Sequence, residues 1–310
     1  MSAVLTAATT GTALAANAGQ PHAAFSIDVE DYFQVEALRG FCPREQWESF
    51  ESRVERNTER VLALLERSAA RGTFFVLGWT AERHPQLVRR IAQAGHEVAS
   101  HGYEHELIYN QSAAAFRTDV RRARALLQDL SGQAVIGYRA PSYTIVARTR
   151  WALPVLAEEG HRYDSSIFPI ARRRYGIPSA PRHPHRIDFE DGGGIAEFPL
   201  PTIRCGPLNI PATGGAYLRL LPFALQRRAI GRMARAGEPF VLNFHPWELD
   251  PEQPRFPVKL RTRWTHYHNL ERAEERLEGL LAVCSYHPMV EVLAALRLLD
   301  DNPATIDRAL

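Results

Sequence analysis

Three carboxylates lie within four positions near the start of the chain, in the stretch FSIDVEDYFQ. They belong to Asp28, Glu30 and Asp31, and they directly follow an apolar run. Like charges this close repel each other unless water screens them or a cation binds between them. The stretch therefore predicts either a solvated acidic loop or a cation site, and the choice depends on which partners the rest of the chain offers.

The sequence SHGYEH offers partners of the right kind. His101 and His105 are four positions apart, so a helical turn would place both imidazoles on the same side. Two imidazoles and one carboxylate are a common ligand set for Zn²⁺ or a similar divalent ion, with further positions left for water. Two surface histidines in a polar loop remain the alternative at this point.

More polar residues come directly after apolar, strand-like runs. Arg139 in RAPSY can pair with a carboxylate and hold it in the ionised form. His245 in FHPW closes the apolar run Val241–Phe244, and a confined histidine of this kind suits proton transfer. Asp164 in YDSS is by itself only a turn signal. These residues add a cation and an acid–base group to the candidate cation site.

Strand-like and helix-like segments alternate along the chain. Apolar runs predict strands at 24–28, 73–79, 96–102, 134–141, 195–200 and 239–247. Amphipathic spacing predicts helices at 52–72, 81–95, 112–131, 148–160, 222–236, 269–283 and 288–299. The segments 171–194 and 250–269 show no helical period and are predicted as long loops.

This alternation predicts an α/β fold in which helices cover a parallel sheet. About seven strand–helix units in 310 residues favour a distorted (β/α)7–8 barrel. Catalytic groups in such barrels lie at the C-terminal ends of the strands. Because the polar clusters all follow strand-like segments, we expect the barrel to bring them together on one face.

The totals describe an ordinary globular protein, with 45% hydrophobic and 23% charged residues. The net charge of +2 predicts no strong attraction to nucleic acid or to a membrane, and no stretch is long and apolar enough to span one. Three cysteines without a CxxC pair favour reduced thiols over disulfides. Residues 1–22 contain no Lys or Arg and predict a disordered leader rather than a signal peptide. We therefore expect a cytoplasmic location, with the inner face of the membrane as the alternative.

In this order, the stretches DVED, HGYEH, RAPSY, DSS and FHPW resemble the five motifs of the polysaccharide deacetylase family, the NodB-homology or carbohydrate esterase 4 type. FSIDVEDYFQVEA and FHPWELDP are most similar to the subfamily found beside exosortase and exopolysaccharide gene clusters. The resemblance implies a NodB-type barrel at 23–250 behind the leader, and a C-terminal extension at 251–310 packed on the barrel.

The resemblance also implies a catalytic role for each matching residue. Asp28 matches the catalytic base, Arg139 the residue that orients it, and His245 the general acid. Asp164 matches the carboxylate that tunes this acid. Tyr143 matches the position whose backbone N–H lines the oxyanion site.

Glu30, His101 and His105 match the metal ligands of the family. The first motif departs from the usual pair of adjacent aspartates, so Asp31 remains an alternative to Glu30. We favour Glu30, because alternate residues of an extended chain share a face, and Glu30 then shares one with Asp28.

The resemblance implies a metal-dependent hydrolase that removes N-acetyl groups from amino sugars of an exopolysaccharide or its lipid-linked precursor. The expected cofactor is a divalent metal, Zn²⁺ first, with Co²⁺, Ni²⁺ or Fe²⁺ as alternatives. The expected partner is an N-acetylated glycan and not a nucleic acid. A hydrolase of small amides or cyclic imides is a second hypothesis. A glycan-binding protein without catalysis is a third, and Asp28, Arg139 and His245 disfavour it because binding alone needs neither base nor acid.

Overall fold

The computed structural model describes residues 21–172, 174–190, 192–206 and 208–299, so the predicted leader at 1–22 lies outside the described residues except for its last two positions. The strands are, in chain order, β1 (Ala23–Val29), β2 (Thr73–Val76), β3 (Glu97–Ser100), β4 (Gly137–Tyr138), β5 (Tyr163–Asp164), β6 (His185–Asp188), β7 (Gly194–Glu197), β8 (Thr202–Cys205), β9 (Leu208–Pro211) and β10 (Phe240–Phe244). The α-helices are α1 (Val54–Arg67), α2 (Gly78–Arg83), α3 (Pro85–Gln93), α4 (Ala113–Ser131), α5 (Ala152–Glu158), α6 (Ala216–Leu220), α7 (Phe223–Arg235), α8 (Leu260–Tyr267), α9 (Ala273–Leu281) and α10 (Met289–Ala295).

The main sheet contains eight strands in the order β10-β1-β2-β3-β4-β5-β7-β6, and β8 and β9 form a separate hairpin. All neighbouring pairs of the main sheet are parallel except β6 and β7. Over the described residues, the pairing begins at β10 and ends at β6 without a ladder between these two edges. The predicted α/β fold with a distorted (β/α) barrel is confirmed.

Successive strand residues pack on opposite sides of the sheet. Phe25 and Phe74 join the apolar cluster formed with the covering helices α1 and α3. Ala24 and Phe75 face the other way and belong to a second buried cluster inside the barrel. Burial on both sides explains why these strands are continuous apolar runs in the sequence rather than alternating ones.

The C-terminal segment covers the end of the barrel where the strands begin. The His287 N–H donates to Ala23 O (3.0 Å), and the His287 carbonyl accepts from Phe25 N (3.1 Å). The N–H of Met289, at the start of α10, donates to Thr73 Oγ1 (2.7 Å). The opposite end, where the strands finish, stays available for the polar clusters. None of the described helices has the length and apolar character needed to cross a bilayer.

Some predicted boundaries differ from the structure. The predicted strand at 134–141 contracts to the two residues of β4. The predicted strand at 73–79 ends at Val76, and Gly78 begins α2. Position 78 needs glycine, because a Cβ there would meet the Tyr103 ring at 2.3 Å. The predicted loops contain β6 and α8. β6 exists through its antiparallel pairing with β7, which a local pattern does not reveal.

Candidate metal and catalytic site

The polar residues singled out from the sequence collect at the C-terminal ends of neighbouring strands. Asp28 is the penultimate residue of β1, and Glu30 follows that strand directly. His101 follows β3, and Arg139 follows β4. His245 follows β10, which pairs with β1. Parallel strands end at a common edge, so one rim of the barrel holds all of these side chains.

Glu30, His101 and His105 form a buried cluster whose candidate ligand atoms all lie within 4.8 Å of one another. His101 Nδ1 lies 2.8 Å from the Arg139 carbonyl, which fixes the tautomer and leaves Nε2 for the cluster. His105 Nε2 lies 3.0 Å from Glu30 Oε2, yet this buried oxygen accepts no hydrogen bond. A carboxylate oxygen left without a donor beside two imidazoles fits a divalent cation.

The carboxylate of Asp31 forms its hydrogen bonds at the start of α1. Its Oδ2 accepts hydrogen bonds from Arg53 N (2.6 Å) and Val54 N (3.0 Å) at the start of α1, and from Ser52 Oγ (3.0 Å). Its Oδ1 accepts from Tyr32 N (2.9 Å). These bonds satisfy N–H groups that have no partner within α1, so Asp31 caps the start of this helix. Glu30 is therefore the carboxylate beside the histidines.

Asp28 and Arg139 form a buried ion pair. Arg139 Nη1 donates to Asp28 Oδ1 (2.7 Å), and it also contacts Ser26 Oγ (2.9 Å) and Asn243 Oδ1 (2.7 Å). Arg139 is fully buried. Burial alone would raise the pKa of Asp28, but Arg139 and His245 outweigh it and hold this pKa well below its usual range. These contacts therefore favour the ionised form of Asp28.

His245 lies between the carboxylates and a second buried ion pair. Its Nε2 is 3.5 Å from Asp28 Oδ2 and 3.8 Å from Glu30 Oε1. Its Nδ1 is 2.9 Å from Glu248 Oε1, and Glu248 Oε2 accepts from Arg219 Nε at 2.7 Å. Burial lowers the pKa of His245, but the bonds to Asp28 and Glu248 overcome this and raise it to about 10. The ring is set to carry a proton.

Asp164, predicted to tune the acid, lies at the end of β5 and contacts the turn that follows it. Asp164 Oδ1 accepts from Ser166 Oγ (2.6 Å) and its Oδ2 from Ser166 N (3.2 Å). Burial raises the pKa of Asp164 to about 6, and Glu197, whose own pKa burial also raises, is a hydrogen-bonded neighbour. Asp164 thus contacts the turn after β5, while Glu248 is the carboxylate at Nδ1 of His245, and the tuning role of Asp164 stays a prediction.

The Tyr143 N–H, predicted to line an oxyanion site, takes part in a turn. The Tyr143 N–H donates to Ala140 O (3.0 Å) in a turn where Tyr143 has a φ of +56°. The side chain enters the site instead, because Asn243 Nδ2 donates to the Tyr143 hydroxyl (2.6 Å) and this hydroxyl lies 3.4 Å from Asp28 Oδ2. Tyr143 therefore contacts the candidate base through its phenol.

Asn243 and Glu248 were not identified from the sequence, and neither was the contact between Trp247 and Glu30. Trp247 Nε1 donates to Glu30 Oε1 (3.3 Å), and its ring stacks on that of His245. Glu248 stands three positions after His245, the spacing that a single helical turn brings together, so this signal was available. Asn243 lies within an apolar strand, and only the pairing of β10 with β1 places it beside Ser26.

Two family models match the chain. Residues 43–161 match the model described as polysaccharide deacetylase, and residues 165–294 match a domain of unknown function, DUF3473. A peptidoglycan-N-acetylglucosamine deacetylase of Bacillus cereus is 31% identical over 96 residues, covering 31% of this chain and 35% of that protein. A peptidoglycan deacetylase of Helicobacter pylori is 32% identical over 108 residues, covering 35% and 36%. The chain thus spans about a third of the length of the curated relatives it matches.

Solved structures agree with the fold. A putative polysaccharide deacetylase from Mycobacterium smegmatis aligns with a TM-score of 0.57 and 23% identity over 89% of both chains. Puue allantoinase aligns with a TM-score of 0.59 and 15% identity over 92% of this chain and 96% of that one. At these identities the likeness concerns the fold alone. Together with the family match, it confirms the resemblance predicted from the sequence.

Proposed function

Given this resemblance to the polysaccharide deacetylase family, we propose that the protein is a metal-dependent hydrolase that removes N-acetyl groups from the amino sugars of a glycan. One observation carries the proposal: a buried Glu30–His101–His105 cluster lies beside a carboxylate, Asp28, that is paired with Arg139 and a histidine, His245, that is paired with Glu248. Asp28 is held ionised, whereas His245 is held protonated. Amide hydrolysis needs this combination of base and acid.

Glu30, His101 and His105 would hold the ion. A divalent cation at this place supplies a Lewis acid that activates water and polarises an amide carbonyl. Zn²⁺ suits two imidazoles and one carboxylate, and Co²⁺, Ni²⁺ and Fe²⁺ share this preference.

Asp28 would take the proton of the attacking water. Arg139 fixes the orientation of this carboxylate through Oδ1, which leaves Oδ2 on the side of His245 and Tyr143. Since Arg139 also binds Asn243, the base is held from both neighbouring strands.

His245 would give its proton to the departing amine. Glu248 accepts from Nδ1, so Nε2 faces the reacting atoms. Acetate and a free amino sugar would be the products. The proton lost by the water and the proton gained by the amine pass through different groups, as in other acid–base pairs.

For the substrate we propose an exopolysaccharide or its lipid-linked precursor, supported by the resemblance of FSIDVEDYFQVEA and FHPWELDP to the exopolysaccharide-associated subfamily. We also propose a cytoplasmic location, supported by the free thiols of Cys42 and Cys284. The division into a barrel at 23–250 and an extension at 251–310 belongs to the same proposal.

The test combines elemental analysis for metal with acetate release from an N-acetylglucosamine oligomer. The comparison is between the wild-type protein and a variant with His101→Ala and His105→Ala. A variant with His84→Ala and His287→Ala is the matched control, because these histidines lie outside the cluster. We expect stoichiometric metal and acetate release that only the first variant loses.

Metal binding without acetate release from any N-acetylated glycan would favour the hypothesis that the substrate is a small amide or a cyclic imide. A wild-type protein that neither holds nor takes up a divalent metal would refute the proposal. A glycan-binding role without catalysis would then be the better hypothesis.

A further inference from the structure

Helix α8 presents two large apolar side chains to solvent. Leu260 is 82% exposed and Trp264, one turn later, is 54% exposed. Another side of the helix is packed, since His266 is buried and its ring stacks on Trp247 at 4.4 Å. A tryptophan and a leucine at this spacing form one stripe along the outer face of the helix.

Cations flank this stripe. Lys259, Arg261 and Arg263 are exposed, and within the part of the chain that the structure describes none of them forms an ion pair. The segment 253–270 contains no Asp or Glu. The net charge of +2 for the whole chain therefore hides a strong local excess of positive charge.

The helix is fixed in this orientation. Arg219 is fully buried and donates to the carbonyls of Thr265 (3.0 Å), His266 (2.8 Å) and His268 (2.9 Å) at the C-terminal end of α8. These carbonyls would otherwise lack partners. Because the end of the helix is tied to the interior, the exposed stripe cannot turn inward without breaking these bonds.

We propose that α8 is an interfacial anchor that docks the protein on an anionic lipid bilayer. Leu260 and Trp264 enter the headgroup region, while Lys259, Arg261 and Arg263 lie near lipid phosphates. A second copy of the chain is a poorer occupant, because a symmetric contact would bring the same cations of both copies together. Since α8 packs on Trp247, docking holds the catalytic rim close to the bilayer.

The test is sedimentation of the full chain with vesicles of phosphatidylcholine alone or of phosphatidylcholine and phosphatidylglycerol in equal parts. We expect binding to the anionic vesicles only, weakened by salt. Leu260→Ala with Trp264→Ala should weaken binding about tenfold, and Arg261→Glu with Arg263→Glu by about tenfold or more. Trp264→Phe should keep binding but lose most of the blue shift in tryptophan fluorescence.

Matched controls come from α7, where Leu225, Arg227 and Arg228 are also exposed. Leu225→Ala, and Arg227→Glu with Arg228→Glu, should leave vesicle binding unchanged. Acetate release from a soluble oligomer should be unaffected in every variant, which separates this proposal from the proposed function.

Four results would overturn the proposal. The first three are no binding to either kind of vesicle, equal binding to neutral and anionic vesicles, and an equal loss of vesicle binding in the α7 controls. The fourth is that the α8 substitutions instead dissociate an oligomer of the chain or abolish binding of a glycan oligomer.

Discussion

His245 Nδ1 lies 2.9 Å from Glu248 Oε1, and both residues belong to the single turn that follows β10. Glu248 is fully buried, and Arg219 neutralises its other oxygen. The contact determines which nitrogen of His245 faces Asp28. His245, the proposed proton donor, is thus oriented from within its own turn.

Glu248→Gln should lower kcat by about tenfold to a hundredfold while changing KM little, because the ring keeps a partner but loses a charge that favours its protonated form. Steady-state acetate release measures both constants. Asp164→Asn is the matched comparison, since Asp164 is equally buried. We expect the Asp164 variant to retain more activity; the reverse order would return the tuning role to Asp164.

Arg219→Met should destabilise the protein by about 3–5 kcal/mol, because it leaves the buried charge of Glu248 without its partner. Urea unfolding gives this free energy. The double variant with Glu248→Leu should lose far less than the sum of the two single changes, since the pair is then removed together. Additive losses would mean that the ion pair is not an energetic unit.

Asp31→Ala should cost about 1–2 kcal/mol of stability, because it removes the acceptor at the start of α1. Metal stoichiometry should remain that of the wild-type protein. Glu30→Gln should have the opposite effect, with metal affinity reduced and stability nearly kept. Metal loss in the Asp31 variant alone would assign the ligand to Asp31.

Trp247→Phe should weaken metal affinity by about tenfold, because Glu30 loses the indole N–H that orients its carboxylate. Competition with a chelator measures the affinity. Trp151→Phe serves as the control, since Trp151 lies at the start of α5, away from the rim. An unchanged affinity in the Trp247 variant would remove the indole from the metal site.

Glu97 should make stability depend on pH. Burial raises its pKa from 4.5 to about 7, against opposing hydrogen bonds from Thr73 and Tyr163. Below pH 4.5 the Glu97 carboxyl is protonated in both the folded and the unfolded protein. As the pH rises from 4.5 to about 7, only the folded protein keeps this proton. The free energy of unfolding should therefore fall by roughly 3 kcal/mol across this window. Urea titrations should show that Glu97→Gln removes this decline, and an unaltered slope would disprove the assignment.

Much of the fold could be predicted because its strands are buried on both sides and its helices are amphipathic. The convergence of Asp28, His101, Arg139 and His245 followed from one rule, that parallel strands end at a common edge. Such a rule locates side chains on a rim but does not say which atoms touch.

The contacts that escaped prediction depend on pairing and on backbone geometry. Asn243 was hidden in an apolar strand, and its place beside Asp28 depends on the register between β10 and β1. The Tyr143 N–H donates to Ala140 O in a turn where Tyr143 has a positive φ, and the residue types in RAPSY do not predict this conformation. The spacing of Glu248 from His245 was readable in the sequence, but the 2.9 Å contact between them depends on the turn that follows β10.

The two family matches meet between residues 161 and 165, and the site draws on both sides of this boundary. His101, His105 and Arg139 lie in the first matched range, whereas Asn243, His245 and Glu248 lie in the second. We expect a chimera joined at this seam to take the candidate metal ligands from one parent and His245 from the other. Its activity should depend on whether the parents preserve the 2.7 Å contact between Arg139 and Asn243, which crosses the boundary.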